Sequence, residues 1–206
     1  MHIGDGILTG PALAAGWGLG AAGVAYGLKR MAVEQVPRVA VLSAAFFTAS
    51  FIHIPLPGSG SVHLMLPGLL GLVLGWSAFP AVLVALFLQA LMFHFGGLTA
   101  LGANTFVMAA PAVACYCLFN RMARARSRSL ALLGAGAAGA IGVILAFAFH
   151  AAFYLGSREA FRFVPAAELL PHAILAGTEM FITAATISFL RQVRPDVLAL
   201  SDITES

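Results

Sequence analysis

Apolar residues fill this chain in long unbroken runs, and the short polar interruptions between them mark out its elements. Seven runs, at residues 11–28, 39–54, 64–79, 80–95, 104–119, 130–155 and 168–190, lack the polar–apolar alternation of a half-buried strand and have the length of helices. Several fall short of the roughly 20 residues that a helix needs to cross the hydrocarbon alone, so they must be buried in a bundle or cap loops that dip inward. Glycine and proline, at 22 and 10 residues, are tolerated in membrane helices whose neighbours re-satisfy the backbone. The expected fold is all-α: a single polytopic membrane domain over residues 1–206 with about seven transmembrane helices.

Composition sharpens this reading. With 61% hydrophobic and 9% charged residues, a 206-residue chain has too little polar surface to cover a soluble globule, and the lipid bilayer is its expected surroundings. The isoelectric point near 9.3 does not imply nucleic acid, because the basic residues sit in short runs between apolar stretches. Those runs give an orientation. Lys29, Arg30, Arg38, Arg121, Arg124, Arg126, Arg128, Arg191 and Arg194 are nine of the 11 basic residues and fall on one side, with Arg158 and Arg162 opposite. The positive-inside rule then places the N-terminus outside and the C-terminus in the cytoplasm. The N-terminus lacks the basic leader of a cleaved signal peptide and carries Asp5 instead. Cys115 and Cys117, at i and i+2 in one helix, face different ways and read as packing residues.

In this topology all six histidines, His2, His53, His63, His94, His150 and His172, fall at outer ends, as do residues 1–10 and the loops at 55–63 and 96–104. A lone histidine in a loop is usually solvated, but position 2 is special. A free Met1 amine, the His2 main-chain nitrogen and the His2 Nδ1 close a five-membered and a six-membered chelate ring around one ion. A nitrogen from His63 would complete a planar set of four, which suits Ni(II) or Cu(II) and not tetrahedral Zn(II). A bulky residue after Met1 disfavours removal of the initiator. The glycine-rich stretch from His94 to Phe106 is a candidate lid.

Other features bear on mechanism. Gly134, Ala138, Gly142 and Ala146 form a stripe of small residues ending at His150, suited to packing within the chain or to docking another membrane subunit. Lys29 is the single lysine and no P-loop is present, so ATP hydrolysis of that kind must come from elsewhere. No enzymatic site and no resident cofactor are expected. Buried acidic residues, the usual sign of a proton-coupled carrier, are scarce, with Glu168 and Glu179 of the last apolar run the candidates if the chain is instead a secondary metal carrier. A second alternative is a bis-histidine haem or redox protein using His53, His94, His150 and His172.

Three motifs in order carry a resemblance: Met1-His-Ile-Gly-Asp-Gly6, Ser61-Val-His-Leu-Met-Leu-Pro-Gly-Leu-Leu-Gly71 and Gly96-Gly-Leu-Thr-Ala-Leu-Gly-Ala-Asn-Thr-Phe106. The chain resembles the CbiM/NikM family, the substrate-binding membrane components of energy-coupling-factor cobalt and nickel transporters. The resemblance implies capture of Ni(II) or Co(II) from outside, in the cytoplasmic membrane of a bacterium or archaeon. It implies work with a transmembrane coupling subunit, ATPase subunits and a small accessory membrane protein. The implied ligands are Met1, His2 and His63, with Asp5, Asn104 and His94 supporting them. Gly4 departs from the family pattern, where nickel members often have proline and cobalt members methionine followed by glutamate, so both metals stay open.

Overall fold

The computed structural model describes residues 2–56, 60–157 and 164–199. The helices are α1 (Gly10–Arg30), α2 (Val36–Ala49), α3 (Pro67–Leu74), α4 (Ala78–Phe93), α5 (Leu101–Ala123), α6 (Arg128–Leu155), α7 (Val164–Val193) and the short α8 (Pro195–Ala199). Between α2 and α3 lie two strands, β1 (His53–Leu56) and β2 (Gly60–His63), which pair antiparallel with His53 opposite His63. The molecule is a helical membrane protein. Four stretches are apolar and long enough to cross a bilayer: Pro67–Phe93, Leu101–Ala123, Arg128–Leu155 and Glu168–Val193.

Two departures from the sequence expectation have plain causes. The second apolar run was expected to stay helical to residue 54, yet the helix ends at Ala49 and the chain turns into a hairpin. Pro55 cannot donate in a helix and biases the residue before it towards extended backbone. The third and fourth runs were divided at 79/80, but the break falls at a 3-10 turn over Gly75–Ser77, where Gly75 sits at φ 53. Glycine adopts this left-handed conformation without the penalty of a side chain. The stretch Pro67–Phe93 is therefore no straight rod. Eight-residue α3 is about 12 Å long, and α4 runs back towards the end from which α3 came. The Trp76 carbonyl packs under Gly27 at the far end of α1, whereas Gln89 on α4 reaches His2 before α1 begins.

Close backbone approach makes this reversal possible. On α1, Gly16, Gly20, Gly23 and Gly27 are all buried, and they face Ala103, Gly102, Phe79 and Trp76 in turn. A Cβ on Gly71 of α3 would lie 2.0 Å from the Ala112 carbonyl oxygen of α5. The α6 stripe is used in the same way, with Gly134 against Met122 and Ala123, Gly142 against Pro67, and Ala138 against Gly68. Of the two roles open to it, packing within the chain accounts for this stripe. Large apolar side chains such as Leu91, Leu133, Phe181 and Phe189 point outward, as a lipid-facing surface requires.

The end of the bundle remote from His2 carries the basic residues. Arg191 of α7 donates to the carbonyls of Ala123 at 3.0 Å and Ala125 at 2.9 Å, satisfying acceptors left open at the C-terminus of α5. Arg38 donates to the Val197 carbonyl at 3.0 Å, tying α2 to α8. Arg158 and Arg162, assigned to the opposite side from the sequence, lie outside the described residues.

Candidate metal site

The segment before α1 is fastened to the bundle at several points. The Ile3 N–H donates to Asn104 Oδ1 at 2.8 Å, and Asn104 Nδ2 donates back to the Ile3 carbonyl at 2.9 Å. One buried side-chain amide thus satisfies both polar groups of Ile3, whose own side chain is fully buried. Asp5 accepts from the Thr99 N–H at 3.0 Å and from the Thr99 hydroxyl. The loop from His94 to Ala100 fits around this segment because two glycines leave room. A Cβ on Gly97 would sit 2.0 Å from Asp5 Oδ1, and Gly96, at φ 76, lies beside His2 and Asn104. On the other flank, Thr9 Oγ1 donates to the Gly156 carbonyl at 2.7 Å.

These contacts deliver His2 to His63. The two rings lie 4.6 Å apart at 28°, with Phe95 stacked 6.1 Å from His2. The tautomers follow from the neighbours. The hydroxyl of Ser50 donates to the Phe47 carbonyl at 2.6 Å, so its oxygen accepts from Gln89 Nε2 at 2.7 Å. That orientation turns Gln89 Oε1 towards His2 Nε2 at 3.0 Å. A carbonyl oxygen can only accept, so Nε2 carries the proton and Nδ1 keeps its lone pair. His63 obeys the same logic in reverse. Its Nδ1 donates to the Leu64 carbonyl at 2.9 Å, leaving Nε2 bare, buried and without a hydrogen-bond partner. Both rings therefore present the nitrogen that a chelate at His2 and a fourth donor at His63 would use.

Removal from water pushes the His2 imidazole down to about 3 and the His63 imidazole well below its usual value. Both are neutral at pH 7. The unfolded chain takes up these protons near pH 6.5, whereas the folded chain resists until far lower pH. Protonation therefore erodes the stability of the ion-free protein as pH falls below 6.5 towards 3.

The remaining site residues are distributed unevenly. The placement of Met1 lies outside the described residues. Asp5 and Asn104 hold the N-terminal segment, as described. His94 takes the left-handed position that ends α4, at φ 56, and its side chain is exposed, so Phe95 and not His94 lies against His2. His150 of α6 faces Glu168 of α7 across 3.1 Å, and within α7 His172 Nδ1 donates to the Glu168 carbonyl at 2.7 Å. The sequence reading missed Gln89 and Ser50. A lone amide inside the apolar run of α4 was the available signal, since a polar side chain there must find a partner within the bundle. Among the described residues no three His, Cys, Asp or Glu side chains converge.

A bundle of apolar helices with two neutral imidazoles sunk into one end defines the class: an integral membrane protein built around an internal nitrogen-donor pocket. Comparison with known proteins makes the class particular. The family model described as "Cobalt uptake substrate-specific transmembrane region", CbiM, matches residues 2–197, and the chain belongs to this family. A protein of Haemophilus influenzae named for metal transport is 40% identical over 202 residues, covering 96% of this chain and 97% of its own. The cobalt transport protein CbiM of Sorangium cellulosum is 31% identical, covering 96% and 94%. The fused nickel transport protein NikMN of Rhodobacter capsulatus is 31% identical over 81% of this chain, which spans 53% of that longer protein. A crystal structure of a transition metal transporter superposes with a TM-score of 0.77 at 27% identity, covering 94% of this chain and 93% of the other. The chain is thus a membrane protein of the cobalt-uptake family, and its relatives include proteins named for cobalt and for nickel transport.

Two outcomes follow from the geometry. Gln89→Leu removes the acceptor that fixes the His2 tautomer and should weaken Ni(II) binding by about 10–100-fold, as loss of outer hydrogen-bond partners does at other metal sites. Equilibrium titration with Ni(II), against thermal unfolding as a control for folding, checks this. Because both imidazoles are already neutral, protons released on binding near pH 7 should come from the amine and main-chain nitrogen. Calorimetry in two buffers of different ionisation enthalpy should then find no imidazole protons appearing between pH 7 and pH 6, where unperturbed histidines would contribute.

Proposed function

We propose that this chain is the ion-capturing subunit of an energy-coupling-factor importer for Ni(II) or Co(II), holding the ion through the Met1 amine, the His2 main-chain nitrogen and Nδ1, and His63 Nε2. The observation that carries this reading is the bare, buried Nε2 of His63 beside a His2 ring whose other nitrogen is occupied by Gln89. With metal–nitrogen bonds of about 2 Å, imidazoles in adjacent planar positions have centroids roughly 4 Å apart, close to the spacing found. A deprotonated main-chain nitrogen is a strong in-plane donor, which favours Ni(II) and explains why Zn(II) is a poor fit. Copper would bind such a set still more tightly, so selection in the cell draws on geometry, access and availability.

The ion enters from outside in this reading. The donor pocket lies at the end of the bundle opposite the basic residues, which the positive-inside rule assigns to the cytoplasm of the cell membrane. The single lysine, Lys29, and the missing P-loop assign ATP hydrolysis to separate ATPase subunits, joined through a transmembrane coupling subunit and a small accessory membrane protein. The greater length of the fused nickel relatives supports function alongside further transporter parts.

Adding one residue before Met1 tests the chelate most directly. The amine becomes an amide, and His2 loses the position that closes both rings. Ni(II) binding should collapse, whereas His63→Ala should leave weaker binding with a changed d–d spectrum, and a C-terminal tag should change nothing. Native affinity in the extended protein would refute the amino-terminal site. For energy coupling, the chain alone in vesicles should bind the ion without concentrating it. Uptake should appear only with coupling and ATPase subunits present, and concentrative uptake by the chain alone would favour a secondary carrier.

A further inference from the structure

Glu179 lies midway along α7 with none of its surface exposed. Its Oε1 accepts from the main-chain N–H of Met65 at 2.6 Å and of Leu66 at 3.0 Å. These residues form the turn between β2, which ends at His63, and α3, which begins at Pro67. Leu66 stands there in the left-handed region at φ 51, which a bulky side chain keeps only when its surroundings hold it. No side chain caps the N-terminus of α3. The carboxylate from α7 instead binds the two N–H groups just before the helix, close to its N-terminus, where the helix dipole favours negative charge. Gly139 lets α7 come close enough for this reach, since a Cβ there would lie 2.3 Å from the Glu179 carbonyl oxygen.

The turn also makes contact with the donor pocket. The Met65 N–H bound by Glu179 and the Leu64 carbonyl that accepts from His63 Nδ1 are the two ends of one peptide group. A carboxylate on the N–H polarises that peptide and makes its carbonyl a better acceptor, as hydrogen bonds in series do. The His63 Nδ1–H is then held more firmly, its ring orientation is fixed, and Nε2 becomes a stronger donor. Metal-binding histidines are commonly tuned by a carboxylate on the far nitrogen. Here one peptide is interposed between the two.

Resting on the proposed donor set, we infer that Glu179 is a positioning residue for His63, acting through the Leu64–Met65 peptide from the middle of the membrane. It gives the acidic residue at the middle of α7 a task in ion capture. It touches neither the ion nor the other ligands.

The test compares Glu179→Gln and Glu179→Leu in the full chain, each with and without His63→Ala, by Ni(II) titration and d–d spectroscopy. Glutamine keeps the accepting oxygen and loses the charge, so affinity should fall about tenfold with the planar spectrum retained but shifted to lower energy. Leucine should reproduce the affinity and spectrum of His63→Ala. In the His63→Ala background neither substitution should weaken binding further, because the group they act on is gone. Equal losses in both backgrounds, or no loss at all, would overturn the inference and leave Glu179 a purely structural residue. If the leucine protein does not fold, the near-isosteric glutamine variant decides through the same comparison. The N-terminally extended protein keeps the two ideas apart: if it binds as the parent does, the chelate is wrong. If it fails to bind while Glu179→Gln loses equally in both backgrounds, only the role of Glu179 is.

Discussion

A buried acceptor nitrogen with no partner costs roughly 1–3 kcal/mol, and the fold holds one at His63 Nε2. Most of the surrounding hydrogen bonds make sense as the means of keeping it that way. Left to itself, an imidazole would change tautomer or rotate to find a donor. The Leu64 carbonyl prevents the first by claiming Nδ1–H, and the His2 ring stacked beside it leaves little room for the second. His2 is held in the complementary state by Gln89, itself oriented by Ser50 and the Phe47 carbonyl. The end of α2 therefore sets the proton position on a residue before α1, through a chain of hydrogen bonds with only one consistent direction.

Holding such a pocket away from water depends on packing at the other levels. A hairpin and a turn can enter the bundle only where helices make space, and here the space arises because α3 is eight residues long. The short helix is possible because its glycines meet backbone directly, Gly68 against Ala138 and Gly71 against Ala112. Larger residues would force α3 outward and lift the turn that carries His63. The small residues of α3 and α6 thus act on the site without touching it. Irregular backbone at this depth is tolerated because its polar groups are satisfied within the protein. Glu179 does so for Met65 and Leu66, and Asn104 does so for Ile3.

Much of this was legible in the sequence, for physical reasons. Apolar run length located the helices, because hydrocarbon imposes one period on every segment within it. His2 stood out because chelate geometry depends only on position from the amine, a purely local property. Asn104 and Asp5 entered through motif resemblance, and the structure gives each a hydrogen-bonding task. The β-hairpin was not legible, since His53–Leu56 continues an apolar run and only Pro55 argues against a helix there. Nor was the exposure of His94, whose left-handed cap position turns the chain so that Phe95 faces His2 instead. The Gln89–Ser50 relay joins residues 39 positions apart, and no local pattern could pair them.

The last helix joins these layers. Near the donor end of α7, the Glu168 carboxylate faces His150 and its carbonyl accepts from His172. At its middle Glu179 holds the turn after His63, and at its far end Arg191 closes the carbonyl terminus of α5. A negative group thus meets the N-terminal end of α3 and a positive group the C-terminal end of α5, each the sign that the helix dipole favours. Such charges are costly inside a membrane unless they are matched in this way. Their partners are main-chain groups just before α3 and at the end of α5, so a shift of α7 along its axis would break both contacts together. The turn that orients His63 and the end of α5 near the basic surface are thereby tied to one rigid element spanning the bundle.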